Sequence, residues 1–167
     1  MAIEIRPLVR DDIAKAAEIL YRSWHESFSK FIPAEVLARI TPESSLAAWD
    51  YATTVKNADL VNLAAFDGTD LVGTISIGRQ REKYGAKREL WAMHVDSRWQ
   101  RKGVGRKLFE AGMKDNDARG AGSMALCCID KNTSAIQFYE AMGGEVQPGL
   151  KKRDGFDEVV ILWKGKD

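Results

Sequence analysis

ELWAMHVDSRWQRKGVGRKL, running from Glu89 to Leu108, decides how this chain reads. It begins as an apolar run suited to a strand and passes through a polar turn. It ends in Gln100-Arg101-Lys102-Gly103-Val104-Gly105-Arg106, and an amphipathic helix departs from there. Glycine lets backbone approach a bound group closely, and the first N–H groups of a helix have no partner within it. A strand feeding such a turn is therefore a ready site for an anion. Arg98, Arg101, Lys102, Arg106 and Lys107 crowd the glycines and suit a polyphosphate, although Lys107 reads better as part of a solvated face.

Outward from this stretch, the alternation of strand and helix signals predicts one α/β domain over 1–167. Ile3 and Ile5 mark a first strand closed by Pro7. Ile13, Ala16, Ala17, Leu20 and Trp24 recur at helical spacing. Pro33 and Pro42 start two short helices, about Ala34–Arg39 and Glu43–Val55. Strands follow over Leu60–Phe66 and Leu71–Ile77, joined by the turn Asp67-Gly68-Thr69-Asp70, and the central strand covers Arg88–Val95. Between them lies a charged loop, Arg79–Lys87. The major helix spans Gly103–Arg119 and stops at Gly120-Ala121-Gly122. A buried strand, Ser123–Ile129, leads to a helix from Asn132 or Thr133 to Met142. Strands Glu145–Lys151 and Glu158–Trp163 end the order, which is that of a mixed α/β layered fold.

The chain has 167 residues, enough for a sizeable core. Lys plus Arg number 25 against 24 Asp plus Glu, a balance that speaks against a protein built to coat nucleic acid. The N-terminal MAIEIRPLVRDD is charged almost at once, so no signal peptide is expected, and no apolar run is long enough to span a bilayer. Cys127 and Cys128 are adjacent in a strand and point to opposite faces, which disfavours a mutual disulfide. These features lead us to expect a cytoplasmic protein.

Two phosphate-binding readings fail on spacing. A Walker loop needs Gly-Lys-Ser/Thr, which is missing, and a dinucleotide fingerprint needs a third glycine where Leu108 stands. The pattern instead resembles the GNAT superfamily of N-acetyltransferases. Gln100-Arg101-Lys102-Gly103-Val104-Gly105 fits that family's Gln/Arg-x-x-Gly-x-Gly/Ala signature. Downstream, Asn132, Ala135, Tyr139 and Gly143 fit its Asn-x-x-Ala-x-x-x-Tyr-x-x-x-Gly motif. Ile5-Arg6-Pro7 with Asp12 resembles the family's N-terminus, so the resemblance covers essentially the whole chain.

The resemblance implies a largely antiparallel sheet of about seven strands flanked by helices, with central strands that splay apart. It implies acetyl-CoA as cosubstrate, and no metal is called for. Backbone groups of Met93, His94 and Val95 would pair with the pantetheine arm as an added strand. Gln100 and the backbone of Arg101, Lys102, Gly103, Val104, Gly105 and Arg106 would hold the pyrophosphate. Asn132 and Ala135 would line the pantetheine, and Tyr139 would protonate the leaving thiolate. Trp24-x-x-x-Phe28, with Pro33, resembles the acceptor-side pattern of one bacterial group in the family, which makes Trp24 and Phe28 candidate pocket residues.

The chemistry needs a neutral amine, an electrophilic carbonyl and an acid for the thiolate. The N–H of Met93 is the candidate oxyanion donor. Glu89 sits eleven positions before Gln100, the spacing of the catalytic glutamate in histone-type members, and strict alternation puts Glu89, Trp91, Met93 and Val95 on one face. Either Glu89 or a water relay would take the amine's proton. The expected acceptor is a small primary amine. Protein or peptide acetylation, a non-catalytic acetyl-CoA-binding module and an unrelated nucleotide-binding protein are the alternatives. Nucleic-acid and membrane partners are not expected, and a homodimer is common in the family.

Overall fold

The computed structural model describes residues 2–54 and 59–165. The chain order is β1 (Ile3–Pro7), α1 (Ile13–Ser23), α2 (Ala34–Leu37), α3 (Pro42–Thr54), β2 (Val61–Asp67), β3 (Asp70–Arg79), β4 (Arg88–Val95), α4 (Val104–Ala118), β5 (Met124–Ile129), α5 (Thr133–Ala141), β6 (Glu145–Val146), β7 (Lys151–Lys152) and β8 (Asp157–Trp163). The expected end of α3 at Val55 lies outside the described residues. No described helix is long and apolar enough to cross a membrane.

The strands form one sheet in the order β1-β2-β3-β4-β5-β8-β6, with β7 also pairing β8. Only the β4–β5 pair is parallel, because α4 carries the chain back across the sheet between them. The expected strand over Glu145–Lys151 is two short pieces, β6 and β7, on the same partner. Pro148 has no N–H to give the ladder and Gly149 takes φ 88°, so the chain loops out between them.

Helices cover both faces. On one, α1 buries Ile13, Ala16, Ala17 and Ile19 with Trp49 of α3 against Ala64, Phe66 and Leu71. On the other, α4 buries Val104, Leu108 and Phe109 with Tyr139 of α5 against Ile75, Ile77, Leu90, Met124 and Ile161. Gly112 keeps α4 close to the sheet, since a Cβ there would lie 2.6 Å from Ile77 Cδ1.

Two departures from regular structure shape the site. The helix of α1 continues as a π-helical turn over Trp24–Phe28, a wider coil that the apolar spacing did not announce. In β4, Ser76 pairs with Ala92 and Ile77 with Leu90, so Trp91 is one residue more than β3 can match. This bulge reverses the alternation of side chains across it. Leu90, Met93 and Val95 face α4, whereas Glu89 and His94 face the α1 side. The expectation that Glu89 shares a face with Met93 and Val95 is therefore corrected.

Candidate active site

The site is a fork in the sheet. β4 and β5 pair only at Arg88–Met124 and Glu89–Ala125. Beyond that, β4 stays with β3 as far as Val95, while β5 stays with β8 as far as Ile129. A bulge bends its strand, and this one lies just past the last β4–β5 pair. The strand edge of Leu90–Val95 that would have faced β5 is thus left open to an added strand-like partner.

At the open end of the fork stands the N-terminus of α4. Arg101 has φ 60° and Gly103 φ 82°, flanking Lys102, whose φ is not positive. Backbone that alternates in hand brings successive N–H groups together around an anion. The N–H groups of Val104, Gly105 and Arg106 open the helix and have no partner within it. A Cβ on Gly103 would meet nothing within 4 Å, and one on Gly105 would meet Met93 Cε, Val95 Cγ2 and Phe138 Cζ only at an ordinary 3.8 Å. The fold's own packing does not require glycine at 105, so its small size fits a group that comes close from outside.

The basic residues divide. Arg98 is bound to Asp96 through Nε at 3.0 Å and Nη2 at 2.7 Å, while its own N–H caps back onto Asp96 at 2.9 Å. Its guanidinium holds the Asp96 carboxyl below the usual range. Asp96 thus occupies one edge of the Arg98 guanidinium, the residue that the sequence suggested for the anion. Lys102 lies over the Trp99 ring, and Arg106 lies 3.9 Å from Glu110 with both side chains more than half exposed. Gln100 donates from Nε2 to the Val95 carbonyl at 3.2 Å, tying the loop to the fork's upper lip.

From the other side α5 closes on the fork. Asn132 caps it: Oδ1 accepts from Ala135 N at 3.3 Å and from Ser134 Oγ at 3.2 Å. Its Nδ2 has no partner among the described residues and is free to donate. Tyr139, two turns on, is buried against Phe138, Phe109 and Trp163 with ring centroids 5.1, 6.2 and 5.9 Å away. Burial raises its pKa, so the phenol stays protonated at neutral pH.

The α1 face differs in character. His94 is buried, paired through Nδ1 with Ser23 Oγ at 2.9 Å, and burial pushes its pKa down to about 4. Phe28 lies 6.0 Å from His94 and 5.2 Å from Trp24, so the π-helical turn sets both aromatics on this face of the fork. Glu89 has no exposed side chain and is held by Arg81. His25 is tied to the Ile40 carbonyl at 2.8 Å, away from free solvent chemistry.

Sequence reasoning missed the wall opposite. A cavity of about 190 Å³ is lined by Phe31, Asp130, Arg153 and Phe156 among others. The loop 80–87 crosses to this wall: Glu82 accepts from Lys151 at 2.9 Å and from Arg153 at 2.6 Å. Tyr84 is buried beside Cys127, under the ammonium of Lys151. Its charged composition was visible in the sequence, but its partners lie some seventy positions away, about the separation no local pattern encodes.

Comparisons with known proteins agree with this fold. The acetyltransferase (GNAT) family matches residues 17–144. An N-acetyltransferase of Bacillus subtilis (strain 168), YuaI, itself described as uncharacterized, is 28% identical over 144 residues, covering 86% of this chain and 80% of its own. The PaiA N-acetyltransferase of Thermoplasma acidophilum, solved in complex with coenzyme A, superposes with a TM-score of 0.77 at 22% identity, covering 99% of this chain and 100% of its own. YncA of Salmonella typhimurium, solved with its cofactor acetyl-CoA, gives 0.73 at 19% identity, covering 98% of this chain and 94% of its own. The latter two share the fold.

Proposed function

Since this chain belongs to the acetyltransferase (GNAT) family, we propose that it transfers the acetyl group of acetyl-CoA to the primary amine of a small molecule, by direct attack on the thioester. The observation that carries this reading is the fork beyond Glu89–Ala125, with the N-terminus of α4 and the cap of α5 gathered at its open end.

Acetyl-CoA would supply an activated acetyl group. The open edge at Met93–Val95 would align its pantetheine arm, with the Asn132 amide as a further donor. The N–H groups from Arg101 to Arg106, with Ala135 and Gln100 shaping the loop and helix beside them, would hold the pyrophosphate. The Met93 N–H would receive developing negative charge on the carbonyl oxygen. Glu89, directly or through water, would take the amine's proton. The protonated phenol of Tyr139 would hand a proton to the departing thiolate.

The Phe31–Phe156 cavity supports a small acceptor. A Cβ on Gly155 would lie 2.4 Å from Pro33 Cγ, so the loops on either side touch beside the pocket. A peptide groove would need them apart. The free thiols of Cys127 and Cys128 fit action in the cytoplasm. The intact pair Asn132 and Tyr139 counts against a module that binds acetyl-CoA without turnover.

Calorimetry with acetyl-CoA, CoA, NAD and ATP is the first test, and no binding of acetyl-CoA would end this reading. A panel of small amines and peptides, followed by CoA release, then separates small-molecule from peptide acceptors. Release with peptides alone would overturn the small-amine assignment.

A further inference from the structure

The Glu89 carboxylate is wholly enclosed at the closed end of the fork, on the α1 face. One residue supplies its three recorded bonds. The Arg81 guanidinium donates to Oε1 from Nε at 3.0 Å and from Nη2 at 2.5 Å, and the Arg81 main-chain N–H donates to Oε2 at 2.8 Å. A carboxylate offers about four acceptor positions, so about one remains. Arg81 itself comes from the surface loop 80–87, and its side chain is 53% exposed. Its guanidinium also lies 5.4 Å from the centroid of the Trp91 ring, which can face a cation. Tyr84 and Cys127 also sense the Glu89 charge, and neither is a cation.

The chain itself thus supplies the cation that this enclosed carboxylate needs. Removing the guanidinium alone would strand a buried carboxylate, which is costly, but exchanging it for another cation would not. The main-chain bond to Oε2 does not depend on the guanidinium, so it would hold Glu89 in place during such an exchange. A neutral or anionic molecule offers no compensating charge.

We propose that Arg81 is the specificity-determining residue of the acceptor site. Its guanidinium holds the place of the acceptor's ammonium on Glu89, so acceptors enter as cations by displacing it, and neutral and anionic molecules are refused. This rests on the acetyltransfer reading for its purpose, but its test does not need turnover.

The test compares binding of n-butylammonium, n-butylguanidinium and the neutral n-pentanol to the wild type, Arg81→Met, Glu89→Gln and the double variant. Arg81→Met keeps the stem and the main-chain N–H but removes the internal competitor. It should bind both cations about tenfold more tightly than the wild type, the size of one charge-assisted hydrogen-bonded contact, with pentanol unchanged. The gain should vanish in the double variant, and the KM for any amine acceptor should fall in Arg81→Met more than kcat changes. No gain, an equal gain for pentanol, or a gain that survives Glu89→Gln would overturn the proposal. Should Arg81→Met fail to fold, Arg81→Lys keeps a cation without the fork and should show a smaller gain of the same selectivity; unchanged binding would overturn it equally. Acetyl-CoA calorimetry on the wild type separates the two readings: its failure removes the acetyltransfer assignment while the amine-binding comparison still stands.

Discussion

Glu89 and Met93 point to opposite faces of the same strand, because Trp91 is inserted between them without a partner on β3. The consequence is a division of labour across one sheet. Met93 and Val95 meet α4 at Gly105, on the side of the loop proposed to hold the pyrophosphate. Glu89 and His94 lie with Ser23, Phe28 and Arg81 on the other side. In the proposed reaction the two reactants would approach the fork from opposite faces and meet at its edge beside Met93.

Tyr139→Phe removes only the phenol oxygen from a ring packed on three aromatics. Turnover should fall by about 10²–10⁴-fold, the usual worth of a positioned acid, with acetyl-CoA affinity retained. Steady-state rates beside calorimetry check this; unchanged turnover would remove Tyr139 as the acid.

Gly105→Ala should separate stability from binding. The new methyl meets its neighbours at ordinary contact distance, and alanine favours helix over glycine by up to about 1 kcal/mol. The melting temperature should hold or rise while acetyl-CoA binding weakens. A variant that binds acetyl-CoA normally would refute the placement of the pyrophosphate at this helix start.

The basic residues should divide in the same way. Arg98→Ala breaks the clamp on Asp96 and should lower thermal stability with little effect on acetyl-CoA affinity. Arg106→Ala and Arg101→Ala should weaken that affinity, the more so at low salt, without comparable loss of stability. Equal losses of affinity from all three would return Arg98 to the anion site.

His94 should make the fold sensitive to mild acid. Its folded-state pKa is down at about 4 against an ordinary 6.5, so the unfolded chain takes the proton first as pH falls. Its contribution is present above pH 6.5 and is lost between there and about 4, for a total of about 3 kcal/mol. Asp12, Glu26, Asp59 and Asp96 have lowered pKa values, so their losses come below this window. Urea unfolding at several pH values should show a steeper decline for the wild type than for His94→Gln; parallel slopes would disprove the assignment.

Much was legible in the sequence because it is written locally. The strand Arg88–Val95 was bounded by its apolar run, the α4 start by glycine and cations, and α5 by an Asn cap and terminal glycines. Tyr139 at helical spacing from Asn132 and Ala135 follows from the same periodicity. The acetyltransferase resemblance rests on these segments, which a few adjacent residues specify through backbone preference and capping.

Tertiary structure decided what depends on pairing at a distance. A bulge arises only when β4 is laid against β3, so alternation alone put Glu89 on the wrong face relative to Met93. Arg98 looked available to an anion until the fold set Asp96 against the Nε–Nη2 edge of its guanidinium. Arg81 and Glu89 are separated by a loop whose course no hydrophobic period records, and their contact forms because an enclosed carboxylate must find a cation. Local chemistry in the sequence determined the kind of protein; register and the compensation of buried charge determined which side chains share a face.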